Sequence, residues 1–440
     1  MRRARTRCTA MDEVTEALAR FACEGEAETK SLAVARLSIL DWAAVGLAAR
    51  HEPVAKILIA QAKEEAGTPQ TSIFGNAFKV PARMAALVNG TVSHALDYDD
   101  THFAHIGHPS VAVIPAALAA AELIEAEGDA FQAAALIGME ASIRVGEWLG
   151  RDHYQVGFHQ TSTSGAFGAT VAAGRLLGLN LRQMRMALGL VATRASGLKA
   201  EFGTMGKPFN AGQAAANGVE AALLAAKGFE AEQSALSGAL GFFATHHGAG
   251  STQAFDGLGE SWRFPKVKHK FHACCHGLHA ALEALRGNQR VPSDISAIRI
   301  FTHPRWMSVC NIARPTTGLE TKFSYTMVTA MSLLGHDTAR LDSFRDDLCG
   351  DVEALGIMDL IKVSEQPDLS EMQARIEIDA HGGTQKLFHD LDEEIALDER
   401  RARIEAKATS LLGEQKVREL RTLISRADTA SSFAKSLRGG

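Results

Sequence analysis

Cysteine is scarce: six in 440 residues, at Cys8, Cys23, Cys274, Cys275, Cys310 and Cys349, with no CxxC among them. The adjacent Cys274-Cys275 pair suits neither a disulfide nor a zinc framework, and this usage fits a reducing cytosol. A surplus of positive charge is also missing. Lys and Arg number 46 against 51 Asp and Glu, so the net charge is −5. That argues against a nucleic-acid partner and leaves only local basic pockets. No apolar run approaches the roughly 18 residues of a membrane span. The basic opening, Met1 to Arg7, is followed by no apolar core of a secretory signal, so a cytoplasmic protein is expected. Met11 is an alternative start, after a short disordered tail. There is no GxGxxG after a strand, no Walker A and no GxSxG, hence no motif for a nucleotide cofactor or a serine hydrolase. No internal repeat and no sustained heptad seam is found.

What is present is a chain rich in core. Hydrophobic residues make up 46% and charged residues 22%, which excludes wholesale disorder and at this length predicts two or three domains. Ser31 to Gly46 and Ser110 to Ile124 read as helices apolar on nearly every face, so both should be buried on several sides. Their Ala and Gly content predicts a compact bundle. Breaks are expected at Gly67-Thr-Pro69, Gly75-Asn76, Glu127-Gly-Asp129 with Asp129 as N-cap, and Gly178-Leu-Asn180. Pro208 should open a helix that Gly228 closes. The pattern changes near residue 265. Ala297 to Phe301 and Ala374 to Ile378 alternate as strands, Thr384 to Phe388 pairs with the latter across a Gly-Gly turn, and Leu360 to Val363 is a further strand. Helices are expected at 275–286 and 322–335. After about 395 the chain is charged and helical again, and its tail beyond Ala427 should fray.

Four segments carry chemistry. In His94-Ala-Leu-Asp-Tyr-Asp-Asp-Thr-His-Phe-Ala-His-Ile-Gly-His108, three carboxylates follow a helix C-terminus, the wrong end for negative charge. Histidines follow at 102, 105 and 108, and histidine titrates near neutral pH unaided. The cluster reads as acid/base groups on a loop, with a solvated connector as the plain alternative. Metal ligation is the weaker reading, since the spacing matches no zinc motif. In Gly157 to Gly168, His159 precedes a helix whose first turn is rich in Ser and Thr. Such a helix end binds anions, and a neighbouring histidine can move a proton. Capping and packing explain the same residues equally well. Lys207, before Pro208, places a cation at a helix N-terminus, which costs about 0.3–1 kcal/mol unless it meets an anion. Lys266 to His279 gathers three Lys and four His at the expected domain junction, a field suited to an acidic small molecule.

In this order the segments resemble the MmgE/PrpD family. The resemblance rests on Asn89 to Thr101, Gly107 to Ser110, Gly157 to Gly168, Gly203 to Pro208 and Lys322-Phe-Ser324. It implies a mainly α protein: a large all-helical domain formed by both chain ends, with an inserted smaller α+β lid. The expected boundaries are 11–265, 266–394 and 395–440. It implies a homodimer without metal or other cofactor. Carried over by motif, the catalytic residues are Asp97, His108, His159 and Lys207, and Thr101 binds substrate. The lid entry departs from the family's Lys-aromatic-Pro, so Lys268, Lys270 and His276 all stand as substrate-binding residues. Tyr325 follows Lys322-Phe-Ser324 at once, earlier than the family's tyrosine. The implied function is a lyase, dehydratase or decarboxylase, acting on a small di- or tricarboxylate such as 2-methylcitrate or cis-aconitate. An epimerase of a dicarboxylate such as iminodisuccinate is the alternative, and a carboxylate-binding protein without catalysis is the third reading.

Overall fold

The structure, a computed structural model, describes residues 2–439, with the side chains of 2–12 outside the described set. The tail expected before Met11 falls among those side chains. The chain divides into two compact units, Met1–His269 with Leu412–Gly440, and Lys270–Leu411.

The larger unit is built on helices α1 (Arg2–Glu24), α2 (Thr29–Ala49), α3 (Pro53–Glu65), α4 (Ala82–His94), α5 (Pro109–Leu123), α6 (Gly128–Gln155), α7 (Gln160–Leu176), α8 (Leu181–Ala192), α9 (Gly206–Ala226) and the short α10 (Phe242–Thr245). It is not all-helical, which corrects the expected fold class. Strands β1 (Thr71–Ser72) and β2 (Lys79–Val80) pair antiparallel between α3 and α4. Two residues per strand are too few to print an alternation, so the sequence showed only the breaks at Gly67 and Gly75. Asn89 on α4 holds the pair in place: it accepts from the Phe74 N–H at 3.0 Å and donates to the Ser72 carbonyl at 2.9 Å.

Glycine sets how closely the helices approach. A Cβ on Gly90 of α4 would stand 2.8 Å from the Gly212 Cα of α9, and one on Gly138 of α6 would stand 2.6 Å from the Gly168 carbonyl of α7. Side chains any larger would push these pairs apart. The result gathers the C-terminus of α4 and the N-termini of α5, α7 and α9, and the functional residues sit at those ends. Helix α2 is long and apolar enough to cross a membrane, contrary to the sequence reading, but 78% of its apolar window is buried inside the protein. Asp129 lies in the first turn of α6, whose N-cap is Glu127. Asn180 and Gln183 form a capping box on α8.

One buried ion pair braces this unit. Arg144 and Glu140 on α6 are fully buried and 2.7 Å apart. The guanidinium also donates to the carbonyls of Ala254 and Asp256, each at 2.8 Å, while Glu140 accepts from the Arg263 and Phe264 N–H groups. Removing one partner strands a buried charge, so Glu140→Ala should cost about 3–5 kcal/mol. Urea unfolding measures this, and a loss below about 1 kcal/mol would contradict the account.

The smaller unit holds α11 (His279–Leu285), β3 (Ile295–Thr302), α12 (Pro304–Val309), α13 (Gly318–Thr321), α14 (Tyr325–Leu333), α15 (Val352–Met358), β4 (Ile361–Glu365), β5 (Gln373–Ala380), β6 (Gly383–Asp390) and α16 (Leu397–Leu412). Its sheet has the order β4-β3-β5-β6, with β4 parallel to β3 and the other pairs antiparallel. The four expected strands lie within or overlap these. Ile298, Ile300, Ile376 and Ile378 are fully buried on one face, as period-2 alternation requires. Back in the larger unit, α17 (Glu414–Arg426) and α18 (Ala430–Ser436) complete the chain. The tail expected to fray instead forms α18, capped by Thr429, with Phe433 and Leu437 buried.

Candidate active site

Two charges at unfavourable helix ends neutralise each other. Helix α4 stops at His94, and Asp97 follows with φ +50°. That left-handed conformation is tolerated by Asp better than by most residues. Lys207 is the second residue of α9. Its Nζ lies 2.7 Å from Asp97 Oδ1, with side-chain exposures of 18% and 41%, so this pair forms the open side of the cluster.

Behind it lies a carboxylate shared by two histidines. Asp99 Oδ1 is 2.8 Å from His94 Nδ1, and Asp99 Oδ2 is 2.8 Å from His108 Nδ1. The second contact is close but less well aligned as a hydrogen bond than the first. His108 Nε2 reaches 3.8 Å from Asp97 Oδ1. Burial pushes the Asp99 carboxyl up, but the charge and hydrogen bonds of His94 and His108 outweigh it and hold it well below the usual range. Burial lowers His94 against the opposing pull of Asp99. A neutral His94 that donates from Nδ1 carries its lone pair on Nε2, which is buried with no hydrogen-bond partner among the described residues.

His159 takes the other tautomer. It is the N-cap residue of α7 and is buried. Asn210, one turn after Lys207 on α9, directs its amide N–H groups to His159 Nδ1 at 3.2 Å and to the Leu198 carbonyl at 3.3 Å. The second bond fixes the amide orientation, so His159 Nδ1 accepts and its proton sits on Nε2. Burial, then His94 and Lys207, holds its pKa well below the ordinary value. Its ring meets the edge of Phe202, a 40% exposed aromatic that also lies 5.6 Å from Lys207 Nζ.

Thr101 exchanges backbone hydrogen bonds with Lys268, at 2.9 and 2.8 Å, and its Oγ1 is buried with no partner among the described residues. Asp97, Thr101, His108, His159, Lys207 and Lys268 thus belong to the larger unit. Lys270 and His276 belong to the smaller one, where Lys270 is buried and His276 stacks on His279 at 4.8 Å. His102 and His105 are structural. His102 donates to the Arg263 carbonyl, and His105 bonds Ser164 at 2.7 Å and packs against Gly107 and Gly146. Sequence reasoning gave no individual role to His94, Asp99, Asn210 or Phe202. His94 and Asp99 lay within the segment that the sequence marked as acid/base, while Asn210 and Phe202 carried no signal of their own.

His94, Asp97, Asp99 and His108 offer ligand atoms all within 4.8 Å of one another, a set fit for a metal ion. The Lys207 ammonium already meets Asp97, and a divalent ion would have to displace it. A chelator should therefore leave melting temperature and turnover unchanged, measured on protein before and after treatment. Loss of either, restored by one metal, would contradict this.

A carboxylate between two histidines beside a lysine–carboxylate pair is an arrangement that can move a proton next to an anion. The chain belongs to the MmgE/PrpD family. Residues 16–254 match the model of the MmgE/PrpD N-terminal domain, and residues 272–428 that of the C-terminal domain. Among curated relatives, a cis-aconitate decarboxylase of Aspergillus terreus is 32% identical over 233 residues, 50% of this chain and 48% of that protein. The human cis-aconitate decarboxylase is 30% identical over 210 residues, 46% of this chain and 44% of that protein. A cis-aconitate decarboxylase-like protein of Aspergillus oryzae is 30% identical over 278 residues, 59% of this chain and 58% of that protein. The matches thus span 44–58% of these relatives' lengths.

Proposed function

We propose that the chain is a cofactor-independent lyase acting on a small tricarboxylate, with cis-aconitate as its first substrate and carbon dioxide as one product. The observation that carries the reading is the Asp99 carboxylate between His94 and His108, set behind Lys207. The names of the three relatives support the choice of substrate.

In this reading Lys207, the Thr101 hydroxyl and the His159 Nε2–H bind substrate carboxylates. Lys268 adds positive charge nearby. The bond from the saturated CH2 arm to its carboxylate breaks, and carbon dioxide leaves. The electron pair forms a new double bond to the central carbon, and the old double bond shifts its electrons onto the far carbon. His108 delivers a proton there from Nε2, and Asp99 stabilises the imidazolium that does so. Solvent returns the proton. The product is a dicarboxylate with a terminal methylene. Dehydration of 2-methylcitrate and epimerisation of iminodisuccinate need a related carbanion, so they are the comparisons. A homodimer is part of the proposal, to be read by light scattering.

Incubation with cis-aconitate, 2-methylcitrate, citrate and iminodisuccinate, followed by NMR and carbon dioxide capture, tests the reading. The expected result is one carbon dioxide per cis-aconitate consumed. Turnover of another member of the panel, with cis-aconitate untouched, would overturn the substrate. Binding without turnover of any would overturn the lyase.

A further inference from the structure

Between Asp99 and Thr101 stands a third carboxylate that the chemistry above does not use. Asp100 is 1% exposed. It accepts from Ser38 Oγ of α2 at 2.8 Å, and from the Ser110 N–H and Oγ of α5 at 3.3 and 2.5 Å. Ser38 Oγ also meets His269 Nε2 at 2.9 Å. The next residues of the two strands of chain, Thr101 and Lys268, exchange their backbone bonds. The contacts therefore close a ring: Asp100 to Ser38, Ser38 to His269, Lys268 to Thr101, and back to Asp100 through the chain.

Two facts say that this carboxylate is held against its own preference. Asp41, one turn from Ser38 on α2, and Asp99 both face it with like charge, and burial deprives it of water. Burial first, then these neighbours, pushes its pKa up to about 6, while Ser110 and Ser38 pull it down. A residue serving only to fill space would be apolar, because an uncharged group here avoids the desolvation cost.

We propose that Asp100 is a positioning residue of the active site. It pins the centre of the 97–101 turn to α2 and α5, so that Asp99 lies against both histidines, Asp97 against Lys207 and Thr101 against Lys268. The inference rests on the proposed proton chemistry for its kinetic consequence. Its structural consequence, the histidine tautomers, does not depend on any substrate.

The test uses the full chain and four variants: Ser38→Ala, Ser110→Ala, Asp100→Ala and Asp100→Asn. The serine variants each remove part of the anchor and keep the carboxylate, so they report even where Asp100→Ala fails to fold. Long-range proton–nitrogen spectra of the imidazoles read the tautomers. Wild type should show Nδ1–H on His94 and His108, and Ser110→Ala and Asp100→Ala should show mixed tautomers. With cis-aconitate, kcat should fall about 10-fold in Ser110→Ala and about 100-fold in Asp100→Ala, the scale set by misplacing reacting groups by about 1 Å, with a smaller rise in KM because Lys207 and Thr101 bind the substrate. Asp100→Asn keeps one acceptor and should recover about 10-fold of the Asp100→Ala loss. Unchanged tautomers in folded Ser110→Ala and Asp100→Asn protein, or losses confined to KM, would overturn the proposal. Altered tautomers in a wild-type chain that ignores cis-aconitate would uphold it and overturn the substrate instead.

Discussion

Asp99→Asn should lower kcat on the proposed substrate by about 10²–10⁴-fold, with KM changed far less, because carboxylates that orient a catalytic histidine carry effects of this size. The physical reason is specific. Asp99 presents an acceptor to each of two imidazoles at 2.8 Å. The amide can present only one acceptor, and its NH2 forces the other ring to turn or to take the opposite tautomer. It also withdraws the negative charge that would stabilise an imidazolium on His108. Asp97→Asn is the contrasting variant. Asp97 is 41% exposed and paired to Lys207, so its loss should act on substrate binding and raise KM. Steady-state kinetics of both variants, alongside melting curves, separate the two. Equal losses of kcat in Asp97→Asn and Asp99→Asn would refute the division of roles.

Stability should fall steeply on mild acidification. Burial lowers His102 to about 4, His105 to about 3 and His153 to about 4. A histidine whose folded pKa is depressed binds protons more readily when unfolded. Its contribution is present above its unfolded pKa, near 6.5, and is lost as pH falls toward the folded value. At pH 5 that amounts to roughly 2 kcal/mol for each of the three. Asp99, held low, works in the same direction at more acid pH. Asp100 works the other way. Its raised pKa favours the fold at low pH, and that contribution fades as pH rises from about 4 toward 6. One carboxyl of opposite sign offsets only part of the histidine total. Urea unfolding at pH 7.5 and pH 5.0 should show a midpoint lower at pH 5.0, by an amount worth several kcal/mol. A midpoint equal or higher at pH 5.0 would refute this.

Much of this architecture was legible because it follows from period and from end signals. Two of the sheet strands announced themselves by alternation, as with Ile298 and Ile300, and a third by the Gly-Gly turn before it, while α7, α8 and α9 showed in the Ser, Asn and Pro at their starts. The 71–80 strand pair was not legible, since its pairing depends on Asn89 and on Glu122, which lies 42 residues beyond Val80 and bonds Ser72. The unfavourable helix-end charges at Asp97 and Lys207 have a reason in the structure: each is the other's counter-ion. The tautomers were out of reach. They depend on which groups stand opposite each ring: Asp99 meets His94 and His108 through the conformation of the loop between α4 and α5, and Asn210 meets His159 through the packing of α7 against α9. Histidine count misled in one respect. His102 and His105 look as catalytic as His108 in the sequence, yet the Nε2 of each is engaged, with the Arg263 carbonyl and with Ser164.

The central claim is that His108 moves a proton to carbon on a tricarboxylate. The direct measurement is turnover of cis-aconitate in deuterium oxide, followed by proton and carbon NMR, for wild type and His108→Asn. The account predicts one deuterium at the carbon distal to the lost carboxylate in the wild-type product, and a rate reduced at least about 100-fold in the variant. Product that forms without solvent deuterium, or at an undiminished rate in folded His108→Asn, would contradict it.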